Sequence, residues 1–363
     1  TGNLGTATTT VADSVTMTAA YNVLNGKTVN HDGSESAQAL VVTIASADAA
    51  ADLSNITSDI TNLTANFSET QTFIGNLDSK TASVANDITV TATAADVTGD
   101  TIAAAGNGNI AVTALHSTLA ADLSGLSSST GAVTAAFDGT GTFTGNLGTA
   151  TTTVADSVTM TAAYNVLNGK TVNHDGSESA QALVVTIASA DAAADLSNIT
   201  SDITNLTANF SETQTFIGNL DSKTASVAND ITVTATAADV TGDTIAAAGN
   251  GNIAVTALHS TLAADLSGLS SSTGAVTAAF DGTGTFTGNL GTATTTVADS
   301  VTMTTTAAKA TGKTINEAEL ENATVVITAL DQTLAADLSG ITTNAVTAAF
   351  DADGTFTGNL GTA

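Results

Sequence analysis

Residues 1–143 recur without a single substitution as residues 144–286. A chain that copies itself at this length cannot be one closed domain around a unique core, because whatever folds once must fold again beside or on top of its copy. A third copy begins at Thr287, runs identically through Met303, then diverges into a shorter version ending at Phe356, and residues 357–363 open a further one. Both ends fall inside the repeat, which predicts a piece of a longer array.

Each block is itself double. Thr-Phe-Ile-Gly-Asn-Leu at 72–77 matches Thr-Phe-Thr-Gly-Asn-Leu at 142–147, so each block is two basic repeats. The repeats are 1–73, 74–143, 144–216, 217–286 and 287–356, with 357–363 starting the next. Every repeat carries Ala-Asp-Leu-Ser once, at Asp52, Asp122, Asp195, Asp265 and Asp337. Every repeat also carries two phenylalanines six apart, such as Phe67 and Phe73, and this uses all ten.

Alternation with a period of two dominates locally. In residues 88–95, Ile88, Val90, Ala92 and Ala94 share one face and Thr89, Thr91 and Thr93 the other, the pattern of a strand with one buried side. Val15, Met17 and Ala19, and Leu40, Val42 and Ile44, repeat it. Turn residues follow at short intervals, as at Asn25-Gly26, Asp32-Gly33, Asp138-Gly139 and Asp353-Gly354, dipeptides suited to positive φ. About seven short strands per repeat fit either a parallel β-solenoid or a string of small antiparallel β-sandwiches. The slim Ala/Val/Leu/Ile core, the abundance of Thr and Asn and the absence of linkers favour an all-β, repetitive parallel solenoid rod. At about 23 residues per coil three coils make a repeat, and stacking at ~4.8 Å gives about 75 Å for this piece. One stretch reads otherwise: Leu53, Ile56, Ile60, Leu63 and Phe67 follow a helical stripe.

The polar side is poor in positive charge. Six lysines, no arginine and 34 acidic residues give a net charge of -28, which excludes nucleic acid as a partner. There is no Cys, Pro or Trp, so disulfides and thiolate metal sites are excluded. No apolar run approaches the roughly 18 residues of a membrane helix, and no membrane insertion is expected.

Candidate chemistry is confined to turns. Asp138, its copy Asp281, and Asp351 with Asp353 place carboxylates beside free carbonyls where Ca2+ is a candidate ligand. Neither an EF-hand loop nor the glycine-rich calcium nonapeptide is present, and turn formation is the competing role. Asp32, Ser34 and Glu35 form a second acidic loop. The Ala-Asp-Leu-Ser aspartates and Asn3, Asn76, Asn146, Asn219, Asn289 and Asn359 read as turn or capping residues. The four histidines, His31, His116, His174 and His259, show no i, i+4 pairing and no evident carboxylate partner, and read as loop residues. Nothing in the sequence resembles a nucleophile elbow or a phosphate loop, and an enzyme is not expected. Thr-x-Thr runs at 16–18, 89–93 and 140–142 suggest an ice-binding threonine grid, although their spacing is irregular. Asn55, Asn62, Asn66 and Asn322 lie in glycosylation sequons.

Gly-Asn-Leu-Gly-Thr-Ala, Thr-Gly-Lys-Thr-Ile at 311–315, Val-Val-Ile-Thr-Ala-Leu at 325–330 and Ala-Asp-Leu-Ser-Gly-Ile at 336–341 resemble the giant β-strand-repeat surface proteins of bacteria, especially cyanobacteria. That resemblance implies a very long secreted protein serving as a surface-layer component, adhesin or filament, often with calcium. The expected function is structural: an extracellular filament, sheath or surface layer that assembles with further copies of itself, with surface polysaccharide as another candidate partner. The alternative is the spacer stalk of an adhesin.

Overall fold

A computed structural model describes residues 2–33, 37–176, 180–318 and 322–363. It is a parallel β-solenoid: every strand pair described is parallel, and six or seven short strands fall in each repeat among the described residues. The chain divides into two compact bodies, residues 1–183 with 199–205 and residues 184–198 with 206–363.

In the first body, Asp52 bridges Asn76 and Asp122 bridges Asn146. Asp122 N–H donates to Thr98 Oγ1, 24 residues back, and Ser46 Oγ donates to Glu69 Oε2, 23 residues on. Each of these contacts joins neighbouring coils at points 23 or 24 residues apart, whereas the bridge from Thr28 to Thr57 spans 29 residues, so coil length varies along the chain. The strands step differently. One ladder runs through Gln71–Phe73, Thr89–Thr93, Asn109–Thr113, Val133–Phe137, Thr151–Val154 and Val172–His174. Its outward lane Thr72, Thr91, Ala111, Thr134, Thr151 advances in unequal steps, shortest from Thr134 to Thr151 and longest from Ala111 to Thr134.

The coil and the strand step differ because ladders begin and end in a fixed rhythm. Residues 52–76 hold three extended stretches: Thr57, bridged to Thr28; Leu63–Phe67; and Gln71–Phe73. The next coil holds two, Thr81–Val84 and Thr89–Thr93, and so does the one after, Thr101–Ala104 and Asn109–Thr113. Residues 122–146 again hold three, Leu126–Ser128, Val133–Phe137 and Gly141–Phe143. In each three-strand coil one ladder stops and another starts, while the ladder between them continues. The second body repeats this at 265–289, where Leu269–Ser271 ends one ladder and Gly284–Thr285 opens another while Val276–Phe280 runs through.

The paired phenylalanines belong to this hand-over. Within the three-strand coil Phe67 and Phe73 pack edge to face, their centroids 5.1 Å apart at 75°, as do Phe210 and Phe216 in the second body. All four are fully buried, each stabilising the fold by about 2–3 kcal/mol through apolar burial.

The stripe from Leu53 to Phe67 is buried at all five positions but is not an α-helix. A 3-10 turn covers Leu53–Asn55, and an extended strand follows at Leu63–Phe67. Thr57 N–H donates to Lys27 O and Leu40 N–H to Asn62 O, so this backbone bonds to neighbouring coils rather than to its own i−4 carbonyls. A chain that turns corners around a core brings side chains inward at irregular intervals, and here they mimic a helical spacing. The only α-turns among the described residues are four residues long, such as Ala94–Val97, where Thr93 and Asp96 form a reciprocal capping box.

Candidate functional site

The two most repeated motifs meet in one seam. In the first body Ala-Asp-Leu-Ser at 51–54 lies under Gly-Asn-Leu at 75–77, with Asn76 N–H donating to Ala51 O and Leu53 N–H to Asn76 O, both at 2.9 Å. Glycine is needed because the backbones nearly touch: a Cβ on Gly75 would stand 2.0 Å from Ala51 O, and one on Gly145 2.0 Å from Ala121 O. Asn76 Oδ1 accepts from Asp78 N–H, an Asx turn, and Leu77 is fully buried. Asp52 Oδ1 accepts from Ser54 N–H and Ser54 Oγ. The seam recurs at Asp195–Asn219, Asp265–Asn289 and Asp337–Asn359 in the second body. Hydrogen bonds from Ser124, Ser197, Ser267 and Ser339 hold Asp122, Asp195, Asp265 and Asp337 below the usual carboxylate range.

Beside the seam, a polar residue of one coil meets an acid of the next. Ser46 N–H and Oγ both donate to Glu69 Oε2, and His116 Nδ1 lies 2.6 Å from Asp138 Oδ1. The second body has Ser189 on Glu212 and His259 on Asp281, the latter also at 2.6 Å. The Ser46 and Ser189 bonds hold Glu69 and Glu212 below the usual carboxylate range. His31 and His174 also have acid partners, Asp59 and Asp202, through their backbone N–H and, at 3.5 Å, through Nε2. The expectation of partnerless histidines is thus corrected: the partners lie on another coil and meet the ring by stacking. Gly139 and Gly354 are likewise not at positive φ, whereas Gly26 and Gly33 are. Gly139 is required for space instead, since a Cβ there would stand 2.5 Å from the His116 ring.

Ser117 Oγ stands 3.4 Å from His116 Nε2, so Asp138, His116 and Ser117 follow one another in the order of an acyl-transfer relay. A relay acts on a held substrate, and this turn is open, with the His116 and Asp138 side chains 39% and 43% exposed. The geometry is that of a latch between coils.

Of the calcium candidates, Asp138 and Asp281 are thus each engaged by a histidine. Asp351 and Asp353 lie exposed on the last turn, where Asp351 N–H approaches Asp331 Oδ1 at 3.4 Å. Among the described residues no three His, Asp or Glu side chains converge as a metal site. Ser34 and Glu35 of the second acidic loop lie outside the described residues; Asp32 is exposed.

The irregular Thr-x-Thr spacing resolves into lanes. Thr72, Thr91, Thr134 and Thr151 occupy four of five successive rungs, interrupted by Ala111. In the second body Thr215, Thr234, Thr277 and Thr294 do the same around Ala254.

Compared with known proteins, the chain matches no family model, no curated protein and no solved structure. Among the described residues no helix is long and apolar enough to cross a membrane.

Proposed function

We propose that this is a structural repeat protein of a cell surface, which forms or stiffens a filament, sheath or surface layer by stacking and self-assembly, and that it performs no catalysis. One observation carries the reading: neighbouring coils are joined by the backbone of the recurring motifs, as at Asp52–Asn76, and by polar side chains, as at Ser46–Glu69 and His116–Asp138. The acidic exterior also suits a surface exposed to neighbouring copies, because like charge limits unspecific clumping. The resemblance to bacterial surface repeats supplies the extracellular location. Electron microscopy of the purified chain, with and without a calcium chelator, tests this. Ordered filaments or sheets support it, and their loss on chelation assigns Ca2+ to the acidic turns. Separate particles under both conditions transfer the assignment to an adhesin spacer.

The threonine lanes favour a second reading, in which rows of hydroxyl and methyl groups about 4.8 Å apart engage ice. Thermal hysteresis of the chain against a variant with Thr91 and Thr134 changed to Lys tests it, and equal values dismiss it.

A further inference from the structure

Tyrosine occurs only at 21 and 164, each opening a four-residue α-turn. In the other repeats alanine opens that turn, at Ala94, Ala237 and Ala307. A second difference follows four residues on. Where alanine stands, threonine comes after it at 98, 241 and 311, and its Oγ1 accepts the N–H of the seam aspartate, Asp122, Asp265 or Asp337, each at 2.8 Å. Where tyrosine stands, asparagine comes after it, at 25 and 168. In the first copy Asp52 N–H donates to Tyr21 OH instead, at 3.0 Å. The tyrosine has taken over the structural bond, and the asparagine is released from it.

The turn does not call for asparagine either. Asn168 has φ -56° and ψ 122°, and Thr98 and Thr311 adopt nearly the same angles, so threonine serves there equally well. Among the described residues the side chains of Asn165 and Asn168 make no hydrogen bond to the protein. Both line a groove of about 430 Å³ in the first body, with Gly145, Asn146, Val166 and Lys170, a size within the roughly 300–1,000 Å³ of small-ligand sites. Asn146 Oδ1 accepts from Gly148 N–H, which leaves its amide N–H groups for the groove, and Lys170 Nζ donates to Gly148 O. None of the lining residues is acidic, whereas Asp96 and Asp100 hold the places of Val166 and Lys170 in the second repeat.

We propose that this groove binds a neutral polysaccharide, the amides of Asn146, Asn165 and Asn168 pairing with sugar hydroxyls and Val166 lying against the C–H face of a ring. The inference goes beyond self-assembly, since it gives the repeat something to hold and does not depend on filament formation. An amide presents a donor and an acceptor side by side, which matches adjacent hydroxyls, each of them both donor and acceptor. A net charge of -28 repels an acidic polymer. A protein partner calls for a large apolar or aromatic anchor site, and the groove offers only the half-buried Val166. Asn22, Asn25 and Lys27 repeat the set in the first copy, where Lys27 Nζ likewise donates to Gly5 O. Sites recurring along one chain let a long polymer engage several at once.

Affinity electrophoresis of the full chain through gels containing a soluble glucan, mannan or galactan tests this, with alginate as the acidic control. At least one neutral polymer is expected to retard the chain. A variant with Asn22→Ala, Asn25→Thr, Asn165→Ala and Asn168→Thr is expected to be retarded several-fold less. It copies Ala95 and Thr98 of the second repeat, so the fold is retained, which circular dichroism checks. Val23→Asp with Val166→Asp, copying Asp96, leaves all four asparagines in place and is expected to weaken retardation as well. Retardation unchanged in both variants, retardation by alginate alone, or none in any gel overturns the proposal. Filament formation by the unaltered chain is scored separately, so either reading can fail without the other.

Discussion

His116 Nδ1 and Asp138 Oδ1 lie 2.6 Å apart on consecutive coils, and the fifth repeat shows what this contact requires. There the histidine is replaced by Asp331, the acid is Asp351, and the residue after it is Ala352 rather than glycine. Histidine and the following glycine therefore come and go together. Gly139→Ala is expected to push the imidazole aside and loosen the coil by about 1 kcal/mol. Adding His116→Asp, as in the fifth repeat, is expected to recover part of it. Hydrogen exchange at Thr144 and Asn146, whose N–H groups bond to Leu119 and Ala121 carbonyls, reads both effects. Equal exchange in the single and double variants would refute the coupling.

Gly2, Gly145 and Gly288 occupy one motif position in two surroundings. Nothing lies within 4 Å of a Cβ at Gly2, whereas Gly145 and Gly288 would each meet a carbonyl oxygen at 2.0 Å. Gly145→Ala is expected to cost more than about 2 kcal/mol, because backbone must move, and Gly2→Ala to stay within about 0.5 kcal/mol. Urea unfolding followed by circular dichroism distinguishes them.

Thr152 and Thr295 are fully buried, and their hydroxyls find no partner. Valine has the same shape without the polar group. Thr152→Val is expected to stabilise the first body by about 1 kcal/mol, seen as a higher urea midpoint. A lower midpoint would show that the hydroxyl is satisfied in solution.

Burial raises the carboxyls of Asp100 and Asp243 to about 6, against 3.8 for the free group. The folded state then holds protons that the unfolded chain has released, so stability falls as pH rises from about 4 to 6. Asp122, Asp195, Asp265 and Asp337 have the opposite sign: their stabilisation is present above 3.8 and is lost as pH falls through their lowered values. Thermal midpoints are expected to be higher at pH 5 than at pH 7. Changing both Asp100 and Asp243 to Asn is expected to flatten that difference, and an unchanged slope would assign it elsewhere.

The repeat and the strands were legible because each leaves a local mark: identity in one case, alternation in the other. Ladder register was not. The unequal steps of the lane from Thr72 to Thr151 become regular only when coils of two and three sides are stacked, and no single coil announces which kind it is. Residues 53–67 misled for the same reason, since a chain rounding corners can bury Leu53, Ile56 and Ile60 at helical intervals without helical bonds. The His116–Asp138 contact was hidden because its two members sit a whole coil apart in the chain, although Gly139, unexplained by backbone conformation, was a clue to something packed against it.

The staggered ladder ends have a mechanical consequence. Within each body a pull along the stacking direction never meets a plane where every row of backbone hydrogen bonds stops at once. At 52–76 the ladder through Leu63–Phe67 passes uninterrupted between one that ends and one that starts, and at 122–146 Val133–Phe137 does the same. Tension is handed sideways from row to row, as in overlapped brickwork, and a crack that opens at one ladder end is stopped by its neighbour.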